Sequence, residues 1–223
     1  MGMSGFRRFL LLPILFIPAT SVWAEDPPLL VGLNIQAITL NLQYPGEVRE
    51  TKINSLVLFW DQPLNTWLDG SITMVLLDIS QGSNPIPAGQ SVSGNSLGLG
   101  LQFHLYRTDK LRLHADMDYQ YVDASGNSQD QNVDMHWQQV SGQLQADLHL
   151  WQYSYLYLAA GAVSIDGSEH ASGTVDSVLS FNSNTPTYGR LGIKFGVDPT
   201  GYIGIEVATG SIAGGQIYFQ RWF

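Results

Sequence analysis

The stretch DKLRLHADMDYQYV, residues 109–122, alternates apolar and polar side chains from Leu111 to Tyr121. One parity carries Leu111, Leu113, Ala115, Met117, Tyr119 and Tyr121, and the other carries Arg112, His114, Asp116, Asp118 and Gln120. Successive side chains of a β-strand point to opposite faces, so this pattern predicts a strand with one apolar and one polar face.

The same alternation recurs along the chain and predicts an all-β fold. We predict strands at 96–106, 110–122, 134–150, 154–165, 187–197, 201–209 and 215–223. Short turns alternate with longer segments rich in Ser, Asn, Gly and Asp, at 81–95, 123–133 and 166–186. An up-and-down antiparallel arrangement would therefore have its tight turns at one end and its longer loops at the other.

The N-terminal segment, residues 1–24, has two arginines, an apolar run from Phe9 to Ile17 and a Val22-x-Ala24 ending. This is the layout of a secretory signal peptide, and we expect cleavage after Ala24 to leave a single domain at 25–223. Losing Arg7 and Arg8 would leave 8 basic and 19 acidic residues, a net charge of −11, which disfavours nucleic acid as a partner. The chain has no cysteine, so disulfides are excluded.

The apolar face of such strands can point inward, as in a soluble lipocalin-like barrel, or outward to lipid. The export signal, the turn asymmetry and the low charged fraction of 13% favour lipid. Aromatic residues near the strand ends fit the girdles of a transmembrane barrel. These are Trp60, Trp67, Trp137, Trp151, Tyr153 and Trp222.

The chain ends GGQIYFQRWF, with Phe223, Phe219, Ile217 and Gly215 on one parity. In this ending and in its alternation the chain resembles the small bacterial outer-membrane β-barrel proteins. The resemblance implies a bacterial outer-membrane location and a last strand that the barrel assembly machinery recognises and pairs with the first. It also implies periplasmic chaperones during biogenesis, contact with outer-membrane lipids and lipopolysaccharide, and a monomer. Arg221 departs from the usual apolar residue, and a place at the rim would let it reach headgroups.

The strand count depends on the N-terminal third. The segment LNIQAITLNLQY changes phase between Ala37 and Ile38, which predicts a β-bulge. INSLVLFW and SITMVLLDIS read as two further strands. Counting all three predicts a ten-stranded barrel, whereas treating 45–95 as one outer excursion gives eight, and both numbers are even. We predict ten, because an apolar hairpin in water would be hard to explain.

The inward polar residues form the candidate site. They are His104, Arg112, His114, Asp116, Asp118, Asp147, His149, Arg190, Lys194 and Glu206. In a barrel this narrow, side chains can fill the interior and opposite charges pair, so we expect an occluded, charged lumen in a non-enzymatic protein with a structural, adhesive or loop-mediated role. A narrow pore for small solutes or ions is the first alternative.

A barrel enzyme acting on lipid A or phospholipid acyl chains is the second alternative. Its candidates are the pairs His114–Asp116 and His149–Asp147, and the stretch Glu169-His170-Ala171-Ser172, placed in a loop. No nucleophile, base and orienting group converge visibly in the sequence. We expect neither a cofactor nor a bound metal, because the histidines lack ligand spacing and the acidic loops lack the calcium-loop pattern.

Overall fold

The computed structural model describes residues 29–81, 91–128, 130–151, 153–184 and 186–223. The signal segment and most of the 81–95 loop lie outside the described residues. The strands are β1 (Leu30–Tyr44), β2 (Glu47–Asn65), β3 (Leu68–Gln81), β4 (Val92–Arg107), β5 (Leu111–Ser128), β6 (Gln131–Trp151), β7 (Ser154–Gly173), β8 (Ser177–Ser183), β9 (Thr187–Gly196), β10 (Gly201–Gly210) and β11 (Ile212–Trp222). The part of the chain that the structure describes contains no helix long and apolar enough to cross a membrane.

Ten strands close into a ring. Each strand from β1 to β7 pairs antiparallel with the next, β7 continues to β9, β10 and β11, and β11 pairs with β1 from Leu30↔Trp222 to Leu40↔Ile212. The final strand is thus the closing seam, and the ring leaves no unpaired edge toward lipid. The ten-stranded barrel predicted from the sequence is confirmed.

The extra strand β8 narrows the ring at one end. The β10–β11 hairpin is short and turns at Gly210, whose φ of 102° favours glycine and whose added Cβ would lie 2.5 Å from the Thr187 carbonyl oxygen. Beyond this hairpin, β8 pairs with β7 at 166–171 and with β1 at Leu42↔Ser183. Eight strands, β1 to β8, therefore form the wall there. We call this end outer, and the end with Leu29 and Phe223 inner.

Along each long strand the outward side chains change from apolar to polar at about the same height on the barrel. On β6 the outward side chains are apolar from Val140 to Leu150, with Leu144 62% exposed, and polar from Asn132 to Gln138. With a rise of about 3.4 Å per residue and a tilt of about 40°, the apolar part is about 26 Å tall, close to the lipid-facing band of such barrels. By the same geometry the polar part extends roughly 16 Å further. Its polar outward side chains are those of a surface that faces water.

At the same height the inward side chains change from polar to apolar. On β1 the inward residues Asn34 and Gln36 are followed by Ile38, Leu40, Leu42 and Tyr44. We call the polar-lined, ten-stranded part the membrane barrel. The apolar-filled part is the outer barrel, residues 38–54, 75–81, 92–96, 122–138 and 163–183.

Several predictions about the outer barrel are wrong, and this change of polarity explains them. The register of β1 with β2 runs without a shift from Leu30 to Tyr44, so no bulge lies between Ala37 and Ile38. The segments 123–133 and 166–186 are mostly strand, in β5, β6, β7 and β8, rather than loop. Trp137 belongs to no girdle, because it is 3% exposed and packs against Phe181 inside the barrel.

Candidate functional site

The ten residues predicted to line the lumen all lie on inward positions of the membrane barrel. Strand β4 carries His104, β5 carries Arg112, His114, Asp116 and Asp118, β6 carries Asp147 and His149, β9 carries Arg190 and Lys194, and β10 carries Glu206. The wall therefore presents both signs of charge to one shared interior.

Asp116 occupies the centre of a side-chain network. Its two carboxylate oxygens accept hydrogen bonds from Gln102 at 2.9 Å and from Gln143 at 2.7 Å. The His114 Nε2 lies 3.8 Å from Asp116 Oδ2, and His114 is 7% exposed. The two glutamines, from the neighbouring strands, give each carboxylate oxygen one hydrogen bond and hold the carboxylate to the wall.

Two further carboxylates, Asp147 and Glu206, each contact a basic residue of β9. Asp147 accepts a hydrogen bond from Gln145 at 2.7 Å and lies 3.9 Å from the Lys194 Nζ. Glu206 accepts a hydrogen bond from the Tyr157 hydroxyl at 2.8 Å and lies 3.7 Å from Arg190 Nε. These contacts join β6, β7, β9 and β10 through the interior.

The inner rim carries three more of the predicted residues. His104 Nε2 lies 2.9 Å from Asp69, and Arg112 donates to the Tyr155 hydroxyl at 3.1 Å. His149 packs on Tyr155 with ring centroids 5.2 Å apart. These contacts place aromatic and charged groups around the inner mouth.

The sequence reasoning missed Asp61, Asp69, Asn34, Tyr157 and Tyr218, which also face the lumen. Asp61 and Asp69 stand on inward parity in β2 and β3, where the alternation was too irregular to assign faces. In both strands every inward residue has an odd number. Counting every second residue from the turn that joins the two strands would therefore have found both aspartates.

Two adjoining cavities of about 280 and 300 Å³ lie in the membrane barrel. They share the lining residues Asn34, Asp118, Arg190 and Glu206. The second cavity extends inward to Asp61, Asp69 and Gln220, near the inner ends of their strands. The first extends outward to the apolar core.

That core fills the outer barrel. Val133, Met135 and Ile79 are 0% exposed, Leu42 is 1% exposed and Phe181 2%. An eight-stranded barrel is just wide enough for side chains to fill its interior, so the narrowing by β8 and the apolar filling belong together. We call these side chains, with the rest of their cluster, the plug. The rest of the cluster is Leu40, Tyr44, Ile53, Val57, Val75, Leu77, Val92, Val122, Ala124, Trp137, Val163, Ile165, Ala171, Tyr188 and Ile212.

One polar cluster is buried within the outer barrel. Glu169, which is 0% exposed, accepts hydrogen bonds from the Tyr44 hydroxyl at 2.8 Å and from Arg49 at 3.2 Å. Arg49 also stacks 4.1 Å from the Tyr44 ring centroid, and Gln81 donates to the Tyr44 oxygen at 3.1 Å. Burial raises the pKa of Glu169 above its ordinary value, against the opposing influence of Tyr44 and Arg49.

Searches for similar proteins identify the fold. No protein-family model matches the sequence, and a search of curated protein sequences finds no significant match. Among solved structures, the outer-membrane protease OmpT from Escherichia coli is similar with a TM-score of 0.54 and 8% identity, covering 91% of this chain and 96% of OmpT. The chain has the fold of an outer-membrane β-barrel.

Two other barrels of this kind match at comparable levels. The translocator domain of the autotransporter NalP from Neisseria meningitidis has a TM-score of 0.52 and 9% identity, with 91% of this chain and 90% of that domain covered. An outer-membrane channel from Pseudomonas putida F1 has a TM-score of 0.51 and 13% identity, with 92% and 99% covered. This likeness, together with the exposed apolar band, supports a location in the outer membrane.

The terminal strand of the outer-membrane barrel has the predicted faces. Ile217, Phe219 and Phe223 point outward and are 59%, 44% and 73% exposed. Arg221 shares this face at the inner rim and lies 3.4 Å from Asp198 in the β9–β10 turn. Hydrogen bonds from the Thr200 side chain and from the backbone amides of Thr200 and Gly201 hold the pKa of Asp198 below its ordinary value, so its charge is available to Arg221.

The His-containing candidates of the barrel occupy different environments. Glu169-His170-Ala171-Ser172 lies on β7 rather than in a loop, with Glu169 buried inside the outer barrel and His170 exposed on the outer wall. His114 faces a carboxylate already held by two glutamines, as described above. In the described ranges, no group of three or more His, Asp or Glu side chains is arranged to hold a metal ion.

Proposed function

We propose that this protein is a closed, non-enzymatic outer-membrane barrel, in which the membrane barrel anchors an acidic outer barrel that makes contacts in front of the membrane. The observation that carries the proposal is the plug. Its side chains form one buried apolar cluster, most of which lies inside the section enclosed by β1 to β8.

The plug opposes conduction on energetic grounds. A continuous water path would have to displace close-packed side chains such as Val133 and Met135, both 0% exposed. Fully exposing a buried aliphatic side chain to water costs about 1.5–3 kcal/mol, and a path would expose several at once. A lumen lined by fixed polar groups alone would carry no such barrier.

The contacts of the lumen charges favour a structural role over catalysis. Asp116 accepts hydrogen bonds from glutamines on both neighbouring strands. Asp147 accepts one from Gln145 on its own strand, and Glu206 accepts one from Tyr157 on β7. A catalytic base needs a nucleophile within hydrogen-bond reach, and the partners seen here are amides, a phenol and cations. This arrangement stabilises the wall.

The outer barrel offers a charged surface for contacts. Apart from the buried pair Glu169 and Arg49, its residue ranges and turns have eight acidic residues against one basic one. The acidic residues are Glu47, Glu50, Asp78, Asp123, Asp130, Asp134, Asp166 and Asp176, and the basic one is Lys52. Such a surface repels anionic lipopolysaccharide unless divalent cations bridge the two, and it attracts cationic partners.

Conductance across a planar bilayer tests the closed lumen. We expect the refolded protein to give no stepwise current when insertion is verified, while a sixteen-stranded porin reconstituted in the same way conducts. Steady stepwise currents from the protein would overturn the proposal, because the plug would then have to open in the resting state.

Lipid analysis tests the absence of catalysis. We expect the acylation of lipid A and phospholipids to stay unchanged when the protein is overproduced. A change that His114→Ala, His149→Ala or His170→Ala abolishes would establish an enzyme instead.

A further inference from the structure

The two cavities of the membrane barrel form a pocket that is closed at its outer end. Their shared lining residues connect them, the plug covers the outer end, and the lining reaches Asp61 and Asp69 near the inner end. Volumes of about 280 and 300 Å³ lie at the lower end of the range for small-molecule sites. A ligand would therefore enter and leave from the inner side.

The pocket has an excess of carboxylates. Asp69, Asp116, Asp147 and Glu206 each lie within 4.0 Å of a histidine, lysine or arginine nitrogen. Asp61 and Asp118 belong to no such pair among the described residues, and they line the same second cavity as Asp69 and Asp116. Two carboxylates thus face the cavity without a cation of the chain in contact.

Buried polar atoms without a partner in the chain are a second, independent observation at this pocket. Ser55 is 8% exposed and its Oγ has no hydrogen-bond partner, although the residue lines the first cavity. Asn34 is 9% exposed and lines both cavities. Its Nδ2 donates to Gln216, while its Oδ1 has no partner. An unsatisfied buried polar group costs about 1–3 kcal/mol, so both oxygens would gain from a donor in the cavity.

The outer end of the first cavity is apolar. Leu40, Val75, Val122, Trp137 and Ile212 of the plug line it. The pocket therefore has an apolar end against the plug and an acidic end toward the inner mouth. These two ends fit opposite ends of one small molecule.

We propose that this pocket binds a small amphipathic cation, an organic ammonium with one apolar or aromatic group. The apolar group lies against Trp137 and Val122, and the ammonium lies between Asp118 and Asp61. The ammonium N–H groups donate to these carboxylates and to the Asn34 or Ser55 oxygen. This binding is separate from conduction, since the ligand enters and leaves by the inner mouth.

Three probes of one shape test the charge requirement. The full chain, refolded into phosphatidylcholine nanodiscs, is dialysed at pH 8 against phenethylammonium, neutral 2-phenylethanol or anionic phenylacetate, with empty nanodiscs as the blank. We expect saturable binding of about one phenethylammonium per chain, and at least tenfold weaker binding of the other two. No saturable binding above the blank, or equal binding of the neutral probe, overturns the proposal.

Matched substitutions test the location. We expect Asp118→Asn and Asp61→Asn each to weaken phenethylammonium binding at least tenfold, whereas Asp166→Asn on the outer wall leaves it unchanged. Folding of each variant is checked by its mobility on an unheated gel, and if Asp118→Asn does not fold, Asp61→Asn decides. Unchanged affinity in a folded pocket variant, or an equal loss with Asp166→Asn, refutes the site.

Discussion

The position of the membrane boundary is tested by placing one charge at two heights on the same face of one strand. Leu144 and Gln138 both point outward on β6, and Leu144 is 62% exposed in the middle of the apolar band. Gln138 is exposed above the band, six residues away. At about 3.4 Å per residue and about 40° of tilt, the two differ in depth by roughly 16 Å.

The two arginine variants are expected to differ strongly. Leu144→Arg places the charge near the bilayer midplane, which costs about 2–4 kcal/mol in a transmembrane barrel. Gln138→Arg places it in water opposite Asp166, its register partner on β7, so we expect a change of about 0–1 kcal/mol. The difference in unfolding free energy should therefore be about 1–4 kcal/mol.

Guanidinium unfolding of the refolded protein in phospholipid vesicles, followed by tryptophan fluorescence, measures both values. The slopes of the transitions are compared first, because a change in slope would show a change in the surface exposed rather than in stability. Equal losses for the two variants would refute a boundary between Gln138 and Val140, and with it the outer barrel as a part exposed to water.

Four further outcomes are expected. Arg49→Met leaves the buried Glu169 carboxylate without its cation and should cost about 3–5 kcal/mol in guanidinium unfolding, whereas Lys52→Met, at an exposed pair with Glu50, should cost at most about 1 kcal/mol. Because the folded-state pKa of Glu169 is raised, its contribution to stability is fully present below the ordinary value of 4.5 and is lost as pH rises through the raised value. As pH rises across this range, the unfolding midpoint should fall less steeply in Glu169→Gln than in the unaltered protein. Parallel pH profiles of the two would contradict a raised pKa for Glu169. Phe223→Ala should lower the amount of barrel assembled in cells while purified protein refolds normally, and normal assembly would remove the role of the terminal signal. The folded protein should run faster on an unheated detergent gel than after boiling, and identical mobility would contradict a membrane-type barrel.

The membrane barrel could be predicted from the sequence because its strands follow one simple rule. In residues 111–121 every outward residue is apolar and every inward one polar, so parity assigns each side chain to lipid or lumen. The inward positions of all ten site residues follow from this rule. Their partners do not, because whether Asp116 contacts Gln102 and Gln143 or His114 depends on the register between strands, which alternation leaves free.

The strands of the outer barrel could not be predicted by this rule, because there the inward residues are apolar and the outward ones are polar. Between Ala37 and Ile38 the apolar set moves from odd to even positions, and a bulge produces the same pattern in a sequence. In 123–133 the outward Asp123, Ser125 and Asn127 have the composition of a loop, while the inward Ala124 is too small to mark a strand. A β-bulge shifts the alternation in one strand, whereas the change of environment shifts it at the same height in several strands. Comparing the strands would have distinguished the two.

The reversal also separates the forces that stabilise the two parts of the molecule. In the membrane barrel, outward side chains such as Leu144 contact lipid, so burial from water contributes little to joining the strands there, and backbone pairing and lumen contacts hold them. In the outer barrel the apolar side chains leave water for the plug, and the hydrophobic effect acts as in a soluble protein. A lumen that stayed polar to its outer end would need a continuous network of partners in a section of eight strands. Filling most of that section with apolar side chains limits the requirement to a few buried polar residues, such as Glu169, which is 0% exposed and has Tyr44 and Arg49 as partners. On the proposed function, closure of the lumen follows from how the outer barrel is stabilised, and opening the plug would require unfolding part of that core.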